Sequence, residues 1–248
     1  MGFSGTSYTV GEQQFPRVTR ILGVLDKPFL GPWQRKMVAE SVYTQFHNES
    51  DNGTVLTDMK GVRHICNQAK QAADLYRDEA ADRGKRIHDF LEAIFDAKEH
   101  LAKHIMETDD EGVLMSKIQE NAAKWVMDED VKAVEVEKMV VSKKHGYAGT
   151  CDLIVTMKNH KGGPPVLAVV DWKTGGGVYD THKLQMAAYA KAYEEMTGSA
   201  VDIAFVMHIT PALGKLSPKL HLHQWDINNE FETFLKVMDV YKWRNGNR

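Results

Sequence analysis

At 248 residues, 43% of them hydrophobic and with no compositionally biased tract, the chain fits one large globular domain or a domain with a helical annex and is not disordered as a whole. Lys and Arg total 31 against 34 for Asp and Glu, which excludes a generally basic surface, so any contact with nucleic acid has to come from a local basic groove. The two cysteines, Cys66 and Cys151, exclude a four-thiolate zinc or iron–sulfur site within one chain and read as reduced and intracellular.

Taken in order, residues 1 to about 15 read as a loose lead-in without the basic and apolar regions of a secretory signal. Arg17 to Leu22 begins a periodic stretch that Thr19 is placed to cap, interrupted by Pro28 and Gly31-Pro32. Trp33 to Phe46 predicts a helix, with Trp33 as a core anchor, and His47 to Thr57 predicts a loop around Asp51-Asn52-Gly53. Thr57-Asp58 caps the next helical pattern, which runs from Met59 with one weak point at Gly84 and an apolar stripe of Ile87, Phe90, Leu91, Ile94 and Phe95. An acidic turn at Glu107 to Gly112 precedes a helix over Val113 to Met127.

The pattern changes at Val131. Strands are expected at about 133–142, 147–157 and 166–172, joined by turns at Lys143-Lys144-His145-Gly146 and Gly162-Gly163-Pro164-Pro165. A helix over Thr181 to Met196, strands over Val201 to Ile209 and Leu220 to Trp225, and a closing helix over Asn228 to Lys242 complete the chain. The expected fold class is α/β, a mixed β-sheet core (131–248) flanked by helices with a mostly helical N-terminal half (1–130), forming a single domain over 1–248. No apolar run approaches the roughly 20 residues of a membrane-spanning helix, so a soluble, cytoplasmic location with no membrane partner is expected.

Two predicted strands carry charge where core strands should carry none: Gly149 to Val155 holds Asp152, and Val169 to Gly175 holds Asp171 and Lys173. Burying unpaired carboxylates is costly, so these groups need a common partner. Period-two geometry puts Asp171 and Lys173 on one strand face with Trp172 on the other, and gives Glu135 and Glu137 a shared face on the preceding strand. Such oxygen ligands suit Mg²⁺ or Mn²⁺ in metal-assisted phosphodiester hydrolysis; carboxylates satisfied by a salt bridge to Lys173 are the alternative.

Gly149-Thr150-Cys151-Asp152, then Asp171-Trp172-Lys173, then Gln185 and Tyr189 four residues apart on the following helix resemble the PD-(D/E)XK nuclease superfamily in its RecB-like exonuclease branch. Two upstream stretches extend the likeness. Gly84 to Glu92 resembles the branch's G-x-x-x-H-x-x-L-E helix. Phe15 to Leu22 followed by Trp33 resembles the opening of phage-type and mitochondrial genome-maintenance exonucleases.

The resemblance implies a restriction-endonuclease-like core and metal ligation by His88, Asp152, Asp171 and the backbone carbonyl of Trp172, with Lys173 as catalytic lysine. Glu137 is the matching acid on the preceding strand, with Glu135 left open as its substitute. Gln185 and Tyr189 would orient Lys173 or contact the substrate, and Thr19 and Arg20 are further candidates for nucleic-acid contact; Lys85, Arg86, Lys143 and Lys144 are candidates for the border of a nucleic-acid groove, with solvated loops as the alternative for each.

The implied activity is a Mg²⁺- or Mn²⁺-dependent DNA exonuclease leaving 5′-phosphates, without an iron–sulfur cluster, acting on single-stranded DNA or a free end in replication, repair or recombination, in a phage-infected cytoplasm or a similar setting. A structure-specific endonuclease with the same site and a non-catalytic DNA-binding recombination partner are the rivals. Lys173-Thr174-Gly175-Gly176-Gly177 lacks the order of a phosphate-binding loop. His100 and His104, four apart, and His221 and His223, alternating, are expected on solvated surfaces.

Overall fold

The structure, a computed structural model, describes residues 2–4, 7–25, 27, 30–51, 59–98, 102–105, 112–210 and 214–246. The chain divides into two compact units, Met1–Leu25 with Arg86–Arg248, and Asp26–Lys85. The N-terminus, expected as a loose lead-in, instead forms an antiparallel sheet of β1 (Gly2–Ser4), β2 (Ser7–Val10) and β3 (Gln13–Pro16). Tyr8 pairs with Phe15 across β2 and β3, and both are buried against Val141 and Ala148, residues far away in sequence. That distant surface supplies the burial, so sparse apolar residues suffice for strands here. In α1 (Val18–Leu22) Arg17 occupies the N-cap without a side-chain bond, and Thr19 lies inside the helix rather than capping it. Val18, Ile21 and Leu22 are buried while Thr19 and Arg20 face solvent.

The unit Asp26–Lys85 is helical. It holds α2 (Leu30–Asp51), α3 (Met59–Ala69) and the first turns of α4 (Ala72–Phe95), with Ile65, Ala69, Ala72 and Ala73 buried. Gly31-Pro32 opens α2 instead of interrupting it, because a proline in the first turn lacks only an N–H that has no helical partner there. α2 then runs through His47 to Asp51, where a loop was expected; Trp33 is half-buried. The helical pattern from Met59 breaks at Lys70-Gln71, where the Gln71 N–H turns back to the Gln68 carbonyl at 3.1 Å. Gly84 lies unbroken inside α4, at a cost of about 1 kcal/mol relative to alanine. Asn52-Gly53, the Thr57-Asp58 cap, His100 and residues 107–111 of the acidic turn lie outside the described residues.

From Arg86 onward α4 joins α5 (Gly112–Asp128) over one face of the main sheet. Its strands are β4 (Lys132–Ser142), β5 (Tyr147–Met157), β6 (Val166–Lys173), β7 (Ile203–Thr210) and β8 (Lys215–His223), arranged in that order. β4, β5 and β6 form the expected antiparallel meander. The helix α6 (Asp180–Thr197) then carries the chain to β7, parallel to β6, with β8 antiparallel beyond it and α7 (Gln224–Arg244) closing the chain.

β7 begins two residues later than its apolar run suggests. β8 ends at His223 instead of continuing to Trp225, because the helix α7 starts at Gln224 with the Asp226 carboxylate accepting from the His223 N–H. Ile87, Phe90, Leu91, Met115, Ile118 and Trp125 pack on Leu153, Val155, Val170, Trp172 and Phe205. On the opposite face α1, α6 and α7 pack on Cys151, Ile154, Val169 and Val206, with Ala187, Ala188, Ala190 and Ala192 buried completely, so that α6 lies close against the strands. The fold is thus a mixed sheet flanked by helices, as the sequence predicts. Among the described residues no helix is long and apolar enough to cross a membrane.

Candidate active site

Strand register builds the site first. Val136 pairs with Leu153 and Lys138 with Cys151, which sets Glu137 opposite Asp152; Leu153 pairs with Val170, which brings Asp152 level with Asp171. Three acids therefore lie in one row across β4, β5 and β6. The β5–β6 ladder stops at Leu153–Val170, and the Trp172 N–H donates instead to Asp152 Oδ2 at 2.7 Å. A backbone donor that needs a partner thus fixes the carboxylate's orientation.

Glu137 has a φ of 47°, in the left-handed region that non-glycine residues rarely adopt. Facing changes at this point: Val136 and Leu153 belong to the core under α4 and α5, whereas Val140 and Cys151 belong to the core under α6 and α7. In a regular strand Val136 and Val140 would share a face, as would Cys151 and Leu153. Glu135 and Glu137 differ in their surroundings accordingly. Glu135 pairs with Lys138 at 2.7 Å, while Glu137 joins His88 of α4 and Asp152 in a group whose three ligand atoms lie within 4.8 Å of one another.

His88 Nδ1 stands 3.6 Å from Asp152 Oδ2, and the backbone of Trp172 lies near enough to favour the charged form of its ring. Asp171 stands beside this group. Its Oδ1 accepts from Gln185 Nε2 at 3.0 Å and its Oδ2 is ion-paired with Lys173. Gln185 Nε2 also donates to the Tyr189 hydroxyl at 3.0 Å, so α6 holds Asp171 through a two-residue brace. The edge of the Tyr189 ring abuts Gly149: a Cβ there would meet Tyr189 Cε1 at 2.3 Å. Glycine at this position is a condition for seating the ring.

Electrostatics set the state of each group. Burial pushes Asp152 well above the usual carboxylate range, Asp171 adds repulsion, and Lys173 and the Trp172 N–H work against both. Burial also raises Glu137 to about 7, helped by Glu92, Asp171 and Asp89; its outer side is open to solvent, which screens part of that repulsion. His88 is lowered, by burial first and by Lys173, against the opposing pull of Asp171, and so offers a neutral nitrogen. Burial would lower Lys173, but Asp171 and Asp152 outweigh it and keep the ammonium charged.

These residues fit a divalent cation. Two carboxylates and a neutral imidazole converge with too little positive charge to satisfy them, and Asp171 Oδ2 is buried with no well-aligned hydrogen bond beyond its ion pair. A hard cation such as Mg²⁺ or Mn²⁺ accepts oxygen donors of this kind.

Other predicted residues are not brought into the group. Thr19 and Arg20 are exposed on α1, Arg86 is exposed on α4, and Lys85 is the last residue of the helical unit. Lys143 and Lys144 sit in the β4–β5 turn, with the Lys144 N–H donating to Glu195. His104 is exposed, His221 stacks on Phe205 at 5.3 Å, and His223 caps α7.

Residue-by-residue reading missed four participants. Asp89 and Glu92 act on Glu137 from α4, and Glu92 is the closing residue of the helix motif that holds His88, though no role was assigned to it. The Tyr8 hydroxyl bonds Thr150 at 2.7 Å, tying the N-terminal sheet to the strand that bears Asp152. His208 bonds the Gly175 carbonyl at 2.8 Å, just past Lys173; neither contact has a local signal.

No family model matches the chain, and no curated protein does. Among solved structures it is similar to a protein of Eubacterium rectale named "Putative exonuclease", at 12% identity over 63% of this chain and 68% of that one, with a TM-score of 0.39. It is also similar to SSO0001, at 14% identity over 61% of this chain and 73% of that one, with a TM-score of 0.27.

Proposed function

We propose that the chain is a Mg²⁺- or Mn²⁺-dependent nuclease that hydrolyses DNA phosphodiesters from a free, single-stranded end to 5′-phosphate products. The observation that carries this reading is the convergence of His88, Glu137 and Asp152 within 4.8 Å, beside the Lys173–Asp171 ion pair. The motif order from Gly149 through Tyr189, with its resemblance to RecB-like exonucleases, supplies the substrate class and product polarity.

His88, Glu137, Asp152, Asp171 and the Trp172 carbonyl are the groups that would hold the cation. When bound, such a cation polarises the phosphoryl group and lowers the pKa of water. The chain's own residues do the rest. Lys173, kept cationic by Asp171 and Asp152, orients the attacking water and offsets charge developing on the phosphoryl oxygens. Gln185 holds Asp171, and so Lys173, in place; the Trp172 N–H does the same for Asp152. In the reaction a water O–P bond forms, the P–O3′ bond breaks, and the departing 3′ oxygen takes up a proton.

End-labelled single- and double-stranded oligonucleotides, with either end blocked, test the reading in Mg²⁺. A sequential ladder from one free end, strongest on single strands, is the expected result. Cleavage of blocked or circular single strands would replace the exonuclease reading with an endonuclease, and no cleavage in Mg²⁺ or Mn²⁺ would remove the nuclease reading.

A further inference from the structure

A cavity of about 480 Å³ opens at the end of the sheet opposite the acidic row, between the ends of β5 and β8, the starts of β6 and β7, and the end of α5. From Val166 at its wall to Asp171 is five residues of β6, roughly 17 Å of strand. Its walls are apolar: Trp125, Met157, Val166 and Ile203 surround the Phe205 and His221 rings, which stack 5.3 Å apart at 15°. Trp125 meets Phe205 edge-on at 6.2 Å and closes one side.

The rim carries exposed Lys158 and Lys161. The two carboxylates lining the cavity are already engaged: Glu129 bonds His160 at 2.6 Å, and Asp202 accepts from the Leu167 N–H at 2.8 Å. Among the described residues no carboxylate is paired with either lysine. The start of the loop bearing them is anchored by the Lys158 N–H, which donates to the Glu129 carbonyl at 2.8 Å.

An exposed imidazole face backed by buried aromatic rings, with two lysines on the same cavity that no described carboxylate pairs, suits a ligand that is planar at one end and anionic at the other. The volume falls within the range of small-molecule pockets, and a base stacks on aromatic and imidazole faces while a phosphate answers lysines. We propose that this cavity is a second binding site, which takes a single 5′-mononucleotide with its base on the exposed His221 ring, which Phe205 backs, and its phosphate on Lys158 and Lys161. The assignment does not depend on the nuclease reading, because none of these residues belongs to the acidic row.

Calorimetric titration of the full chain with 5′-deoxyadenylate in EDTA tests it, with deoxyadenosine and inorganic phosphate as the two half-ligands. One equivalent of nucleotide is expected to bind, at least tenfold tighter than either half. Lys158→Glu with Lys161→Glu is expected to weaken binding at least tenfold at unchanged melting temperature, His221→Ala to weaken it similarly, and Asp171→Asn to leave it unaltered. The assignment fails if nucleotide does not bind, if phosphate alone binds as tightly, if the charge reversals have no effect, or if Asp171→Asn abolishes binding.

Discussion

Gly149→Ala is the smallest change that strikes the site without touching a polar group. The added methyl would lie 2.3 Å from Tyr189 Cε1, 3.1 Å from Cδ1 and 3.2 Å from Cζ. Carbon atoms rest about 3.5–4.0 Å apart, so the ring must retreat by more than about 1 Å. Tyr189 is buried and its hydroxyl stands 3.0 Å from Gln185 Nε2, so that retreat breaks or stretches the bond and releases the support of Asp171.

Overpacking of this kind costs about 1–3 kcal/mol, and in a chain of this size each kcal/mol lowers the melting temperature by about 2–4 °C. A displacement near 1 Å at a reacting centre costs on the order of a hundredfold in rate. Thermal melts followed by circular dichroism, and kcat on a labelled oligonucleotide in Mg²⁺, read the two effects separately. In a Tyr189→Ala background the same methyl should cost far less melting temperature than it does in the wild-type protein, since the room it needs is then present. Full activity and an unchanged melt in Gly149→Ala would refute the brace from Tyr189 through Gln185 to Asp171.

Further expectations follow from the same contacts. Between the ordinary carboxylate value of 4.5 and about 7 the folded state holds a proton on Glu137 that the unfolded chain has released; Asp152 acts in the same direction. The Glu137 contribution to stability is therefore present at low pH and lost as pH rises through that window, and the Asp152 contribution is likewise lost as pH rises. In EDTA the wild-type melting temperature should fall more steeply from pH 5 to pH 8 than that of the Glu137→Gln, Asp152→Asn double variant, and Mn²⁺ should flatten the wild-type slope; equal slopes would contradict the raised carboxyls. Gln185→Leu removes the donor to Asp171 and should lower kcat by at least tenfold with little change in KM, checked by steady-state kinetics. Tyr8→Phe breaks the bond to Thr150 and should cost about 0.5–1.5 kcal/mol in a denaturant melt with little effect on kcat.

The acidic row was legible because charge inside apolar strand runs has few structural explanations, and the spacing of Asp152, Asp171 and Lys173 survives folding unchanged. The meander, α6 and the flanking helices were legible from periodicity. Glu137 could not be separated from Glu135 because period-two reasoning assumes a regular strand, and the left-handed backbone at Glu137 breaks that assumption. The N-terminal sheet escaped because its stability comes from Val141 and Ala148, not from its own pattern. Gly149 was visible as part of a motif, but its physical role, the seat for a ring forty residues onward, exists only once α6 is packed on the sheet. The break at Lys70-Gln71 carries no glycine or proline, whereas Gly84, which carries the signal, is held within α4.

The most direct measurement is hydrolysis of end-labelled single-stranded DNA by wild-type and Lys173→Ala proteins side by side, in Mg²⁺, in EDTA, and in EDTA followed by Mn²⁺. Wild-type protein should cleave in Mg²⁺, stop in EDTA and resume in Mn²⁺, while Lys173→Ala, folded by its melt, stays below about one hundredth of the wild-type rate, the scale of losing one preorganised charge. Cleavage that persists in EDTA, or a Lys173→Ala protein as fast as wild type, would contradict the metal-assisted site.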